Sequence, residues 1–186
     1  YGMTLFITGT AAASDKTAVA LHITSGSTQN IVTASIDKGK FYHVAAVYSV
    51  DKDPGNLLIY LDGNLEAKSE NRVIFENLDF KSSNMLIGSG STIALTGAFG
   101  FNTLNREVRF AQTFTGSLDE FRFFHSDRTR EDILRTKDIN IAKKADLQLY
   151  YKFNEPSGSA DNLAIPEVVL DSSGNSLHAS ITNFNM

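Results

Sequence analysis

Short runs of β-forming residues, punctuated by turn clusters, constrain this chain more than any other feature it has. The clearest stretch is His43-Val44-Ala45-Ala46-Val47-Tyr48, then Asp53-Pro54-Gly55-Asn56, then Leu57-Leu58-Ile59-Tyr60-Leu61. Between the two runs, proline presets φ and glycine permits positive φ, so the chain can reverse there. Asp62-Gly63 is a strong hairpin dipeptide, and Leu65-Glu66-Ala67-Lys68 is placed to run back from it. Leu57 to Leu61 is apolar at every position. Such a strand is expected in the middle of a sheet covered on both faces.

Further strands are predicted at Thr4 to Thr8, Ala18 to Thr24, Asn30 to Ile36, Arg72 to Phe75 and Met85-Leu86-Ile87. Many short strands at this spacing indicate a sandwich or jelly roll. Leu147, Leu149, Tyr151 and Phe153 alternate with Gln148, Tyr150, Lys152 and Asn154, so the last clear strand is expected to show one apolar and one polar face. One short helix is predicted where Thr129 supplies a hydroxyl cap, Asp132 an acid three residues on, Ile133 and Leu134 an apolar face, and Lys137 a basic end. Residues 88–116 are less regular, with Gly88, Gly90, Gly97 and Gly100 among Phe99, Phe101, Phe110 and Phe114. Long irregular segments of this kind often bind ligands; the phenylalanines are read as packing down onto the sheets.

Composition narrows the partners. A length of 186 residues suffices for a sizeable core without staples. The formal net charge of −4 argues against nucleic acid and against a polybasic membrane anchor. The absence of cysteine removes disulfides and thiolate metal sites. No apolar run has the length of a membrane span. Starting at Tyr1, without an initiator methionine or signal-peptide pattern, the chain reads as an excerpt or processed product of a larger protein.

Four segments, Lys40 to Tyr48, Leu57 to Gly63, Phe114 to Phe124, and Leu149 to Glu155 with Leu170 to His178, together resemble the laminin G-like group of concanavalin A-like lectin/glucanase domains. Lys40-Phe41-Tyr42-His43-Val44-Ala45-Ala46-Val47-Tyr48 resembles the family's W-hydrophobic-H-V-A strand, and Leu57 to Gly63 its L-x-L-Y-V-D-G hairpin. Phe114-Thr115-Gly116-Ser117-Leu118-Asp119-Glu120-Phe121-Arg122-Phe123-Phe124 resembles its F-x-G-x-I-D-E-V-R-I-Y closing strand, followed by a threonine-capped helix. Leu149 to Glu155 and Leu170 to His178 resemble its Y-W-x-F-D-E … D-S-S-G-N opening. The chain departs from the family twice. It has no tryptophan, although the family usually has one where Phe41 or Tyr42 stands. The opening motifs also come last: either they begin a tandem module, or they fold back as part of a rearranged domain. The expected organisation is a laminin G-like sandwich over residues 1–138, a connector over 139–145, and opening strands of a following or shared module over 146–186.

Calcium is the sharpest chemical possibility. It needs several hard oxygens around a tight turn, and Asp171-Ser172-Ser173-Gly174-Asn175 offers a carboxylate, an amide oxygen and carbonyls. The resemblance implies that Asp171 and Asn175 can share an ion with Asp119 and Glu120. The competing reading is that Asp171 and Asn175 only build a turn. His43 and His178 lack the paired spacing of transition-metal ligands and are given core or surface roles. Glycoside hydrolysis needs two carboxylates across a cleft. The E-x-D-x-x-E strand of laminarinase-like relatives is absent, and Glu76-Asn77-Leu78-Asp79 lacks its spacing. A G-x-S-x-G elbow and a P-loop are also absent, so no catalytic residue is assigned. Arg106, Arg109, Arg122, Arg128 and Arg130 lie among Glu107, Asp119, Glu120, Asp127 and Glu131, a mixed and solvated surface.

The sequence therefore predicts an all-β, two-sheet antiparallel β-sandwich with one short surface helix. Its expected role is that of a non-catalytic binding or adhesion module on a cell surface or virion. Its expected partners are a glycan or surface protein and neighbouring modules, without nucleic acid or membrane insertion. A purely architectural spacer, and an accessory module of a hydrolase lying outside this chain, are the alternatives.

Overall fold

The computed structural model describes residues 2–8, 14–52, 55–75, 85–88, 93–95, 106–108, 114, 116–154 and 168–181. The described residues are all-β apart from one helix, and their strands form several antiparallel sheets. The chain divides into two compact units, one of residues 1–115 with 129–137, the other of residues 116–128 with 138–186.

In the first unit, β1 (Gly2–Thr8), β2 (Lys16–Ser25) and β3 (Thr28–Asp37) form one sheet in that order. A second sheet has the order β4 (Val44–Tyr48), β5 (Leu57–Leu61), β6 (Asn64–Lys68). The expected role of Leu57 to Leu61 is borne out: β5 is central, and all five of its residues are buried. Alternation divides them between two cores. Leu57, Ile59 and Leu61 share one with Val19, Leu21, Ile23, Val32 and Ala34 of the first sheet and with Phe75. Leu58 and Tyr60 share the other with Val47 and Ile133. Ile133 lies on α1 (Arg130–Thr136), so the helix covers the face that the first sheet does not.

Local chemistry explains the connections. Asp62 (φ 51°) and Gly63 (φ 84°) both take positive φ, as a two-residue type I′ hairpin turn requires. A Cβ at Gly63 would lie 2.3 Å from Leu134 Cδ2, so this glycine also lets α1 approach. Thr129 caps α1 as its sequence predicts: its side chain accepts the Asp132 N–H and donates to the Asp132 carboxylate.

Two predicted strands are absent. Residues 72–75 form no ladder; Asn56 holds them instead, its Nδ2 donating to the Val73 carbonyl at 2.7 Å and its Oδ1 accepting the Val73 N–H at 3.2 Å. Residues 85–87 also lie outside any strand. A further ladder joins β7 (Ile93–Leu95) to β8 (Arg106–Val108). The predicted packing of Phe99, Phe101 and Phe110, and the glycines at 90, 97 and 100, lie outside the described residues.

In the second unit, β9 (Phe121–Phe124) pairs antiparallel with β10 (Leu147–Tyr151), and β11 (Val168–Val169) with β12 (Ala179–Ser180). The strand resembling the family's closing strand thus pairs with the strand resembling its opening one. The expected alternation of β10 is corrected in one respect: Tyr150, assigned to the polar face, is fully buried with Leu147, Ile141 and Phe124. A register irregularity between Leu147 and Leu149 is the cause. One extra residue reverses the phase of the side chains after it. Phe153 lies beyond the strand at φ 52°.

Candidate functional site

Three places hold the residues of interest: the turn at Asp171, the segment leading into β9, and the loop between β3 and β4.

At the turn, Asp171 is surrounded by donors of its own chain. Its Oδ1 accepts the N–H groups of Tyr150 at 3.0 Å and Ser173 at 2.9 Å. Its Oδ2 accepts the Ser173 hydroxyl at 2.7 Å and the Leu177 N–H at 3.0 Å. Partial burial pushes this carboxyl up, but the bonds from Ser173, Leu177 and Tyr150 outweigh it and hold the pKa down to about 2. Asn175 Nδ2 donates to the carbonyls of Leu147 (3.0 Å) and Gln148 (2.9 Å), the two residues at the irregularity of β10. The amide thus satisfies acceptors that the broken ladder leaves over. His178, weighed as a metal ligand, accepts the Asp171 N–H at Nδ1, 3.0 Å away.

Before β9, Glu120 takes φ 53° and its Oε2 accepts from Arg122 Nη2 at 2.5 Å and from the Tyr150 hydroxyl. The Tyr150 hydroxyl also lies 2.9 Å from Asn140 Oδ1. The Arg122 guanidinium stands 4.9 Å from the centroid of the Tyr150 ring and donates to the Ile139 carbonyl at 2.6 Å. Burial, then the bond to Glu120, raises the Tyr150 pKa, so the phenol stays protonated as a donor. Asp119 is exposed and accepts the Glu120 N–H at 2.9 Å.

Calcium can be tested against this geometry. An ionised carboxylate has about four lone-pair directions; four protein donors occupy those of Asp171. Glu120 is neutralised by a guanidinium, and the Asn175 amide nitrogen is directed to carbonyls. Among the described residues, no group of three or more His, Asp or Glu is arranged to hold a metal ion. Asp171, Asn175, Asp119 and Glu120 as they stand do not fit a calcium site; Asp171 and Asn175 fit the turn reading.

Besides Arg122, two more of the arginines weighed as a surface patch have polar partners that take up their charge or donors. Arg128 pairs with Asp146 at 2.9 Å and stands 4.6 Å from the Phe124 ring centroid, and Arg130 donates to Asn64 Oδ1 at 3.3 Å. Arg109 lies outside the described residues.

The loop between β3 and β4 carries Phe41 and Tyr42, the two aromatics that stand where the family usually has a tryptophan. Phe41 is 80% exposed, whereas its neighbour Tyr42 packs against the core and its hydroxyl accepts the Asp37 N–H at 3.2 Å. On the other side, the His43 N–H donates to Asp62 Oδ1 and the Asp62 N–H to the His43 carbonyl, each at 2.9 Å. Asp37 bridges Lys16 Nζ at 2.9 Å and Lys40 Nζ at 2.7 Å. The sequence, with two adjacent aromatics, left open which of them turns inward.

No helix among the described residues is long and apolar enough to cross a membrane. Residues 4–134 match a laminin G family model of the concanavalin A-like lectin/glucanases superfamily. No curated protein and no solved structure matches the chain.

Proposed function

This chain belongs to the laminin G-like family of the concanavalin A-like lectin/glucanase superfamily, and from that premise we propose that it is a non-catalytic module that binds glycan or protein through loops at the edges of its sheets. The family hosts carbohydrate- and protein-binding modules, and a fold alone does not choose between them. The observation that carries the reading is the loop between β3 and β4, where pinned backbone on both sides of Phe41 presents an aromatic ring to solvent. By contrast, the carboxylates of Asp171 and Glu120 are engaged by the chain's own donors, which is the role of structural groups rather than of a hydrolytic pair. Display on a cell surface or virion, as part of a larger protein, is the setting such a module suits.

The test is a glycan array and a surface-protein capture assay with the purified chain. Discrete binding, competed by the free ligand and without cleavage of it, is the expected result. Blank outcomes in both assays would overturn the reading in favour of an architectural spacer. Turnover of a bound glycan would overturn the non-catalytic part alone.

A further inference from the structure

Among the described residues β1 is the outer strand of its sheet, and one row of its side chains is apolar and exposed: Met3 (41%), Leu5 (46%) and Ile7 (45%). Their cross-strand neighbours on β2 are Ile23, Leu21 and Val19, all buried in the core shared with β5. The row thus continues a core face into solvent. The backbone of the same residues also faces outward. A two-residue turn at Gly26-Ser27 joins β2 to β3, so Ser25 and Thr28 form a hydrogen-bonded pair. Alternation from that pair directs the odd-numbered residues of β2 to β3 and the even-numbered ones to β1. On β1 the even-numbered residues answer them, as Thr4 does His22, and the N–H and C=O groups of Met3, Leu5 and Ile7 point to the outer edge.

Outer strands are ordinarily protected by charge, proline or a bulge. β6, an outer strand of the other sheet, carries Glu66, Lys68 and a register irregularity. β1 has none of these: its register runs unbroken from Gly2 to Thr8, and residues 1–14 contain no charged residue and no proline. Such an edge offers no counter-charge to a charged strand and matches one that is equally uncharged and alternates in the same way. β1 itself is such a strand. Placed antiparallel about a twofold axis at Leu5, two copies set Leu5 against Leu5 and Met3 against Ile7, so apolar meets apolar along the whole row. We propose that β1 is a lateral contact between copies of this chain, pairing in that register so that two three-stranded sheets become one. A single strand is small against the roughly 800 Å² that each partner buries in a standard interface. The contact is therefore weak: the chain is monomeric at the dilution of size-exclusion chromatography, and copies pair when held side by side at effective concentrations of about 1 mM.

The chain has no cysteine, which makes the register directly testable. Under mild oxidation of the concentrated chain, Leu5→Cys should link to itself. Met3→Cys and Ile7→Cys should each stay reduced alone, because like residues then lie about 13 Å apart along the strands, beyond the roughly 7 Å a disulfide tolerates. A mixture of those two variants should link. In sedimentation velocity the parent should shift from monomer toward dimer as its concentration approaches about 1 mM, and Leu5→Lys should hold it monomeric without lowering Tm. Leu65→Cys and Leu65→Lys, similarly exposed on β6, are the controls. Leu5→Cys that links no faster than Leu65→Cys, or a parent that stays monomeric throughout, overturns the proposal. So does Met3→Cys that links to itself as readily as Leu5→Cys, which marks unspecific adhesion. Linkage of Leu5→Cys to a different protein gives the edge to another partner and overturns it too.

Discussion

At the scale of single residues, Asp171 shows how one carboxylate organises a turn. Its four donors come from Ser173, next along the turn, and from Tyr150 and Leu177, which are distant in sequence or beyond the glycine. Asp171→Asn keeps one acceptor oxygen but replaces the other with a donor, so the Ser173 hydroxyl and Leu177 N–H lose their partner. We expect a loss of about 1–2 kcal/mol. The folded-state pKa lies below that of the unfolded chain. The charged carboxylate therefore stabilises fully above about pH 4, and this contribution is lost as pH falls toward about 2. Melting curves of parent and variant should accordingly converge in that window. Calcium and chelator should give superimposable curves for the parent, since an ion bound only by the folded state would raise its melting temperature. A calcium-dependent rise that Asp171→Asn abolishes would restore the metal reading. The residue types of this turn were legible in the sequence; the occupancy of the carboxylate was not, because two of its donors depend on where β10 and Leu177 come to lie.

At the scale of elements, sequence pattern located strands well wherever the ladder itself satisfied the backbone. Residues 16–37, 44–48 and 57–68 carry the β-formers and turn dipeptides that their strands use, and α1 carries its cap. Prediction failed where side chains replace the ladder. Arg72 to Phe75 has the composition of a strand, yet Asn56 supplies the bonds to Val73. Asn56 is itself fully buried, and its neighbour Gly55 (φ 76°) brings the backbone so close that a Cβ there would lie 1.7 Å from the Ser69 carbonyl oxygen. Asn56→Ala should cost about 1–3 kcal/mol, because it removes a fully buried amide and strips both partners from the backbone of half-buried Val73. Hydrogen exchange should show the effect first at the Val73 amide. Unchanged protection there would mean that the segment is held by Phe75, which packs edge-on to Tyr48 at a centroid distance of 5.6 Å, and not by Asn56. β10 erred for a related reason: Asn175 supports a register irregularity that no period-2 pattern anticipates.

At the scale of the whole molecule, the family was legible from motifs, while their order alone left a tandem module and a rearranged domain open. The chain passes between the two units after residues 115, 128 and 137, so β9 and β10 are separated in sequence by α1, which belongs to the other unit. Within the second unit, β9 finds its ladder partner in β10, and Phe121 stacks on Tyr151 at a centroid distance of 6.3 Å. Asp146 pairs with Arg128 and accepts from Ser126, tying the same two segments at their ends. Leu147, Leu149, Tyr150 and Tyr151 are buried, and burial of a large apolar side chain contributes roughly 1.5–3 kcal/mol. A chain ending at residue 145 forfeits that contribution and leaves β9 with an open, phenylalanine-rich edge. Open apolar edges template association. The truncated chain should therefore melt at a lower temperature, with broadened cooperativity, and should elute as oligomers in size-exclusion chromatography where the parent does not. If residues 1–145 instead stay monodisperse and melt within a degree or two of the parent, the β9–β10 pairing contributes nothing to the fold. Residues 146–186 would then be the opening of a separate module.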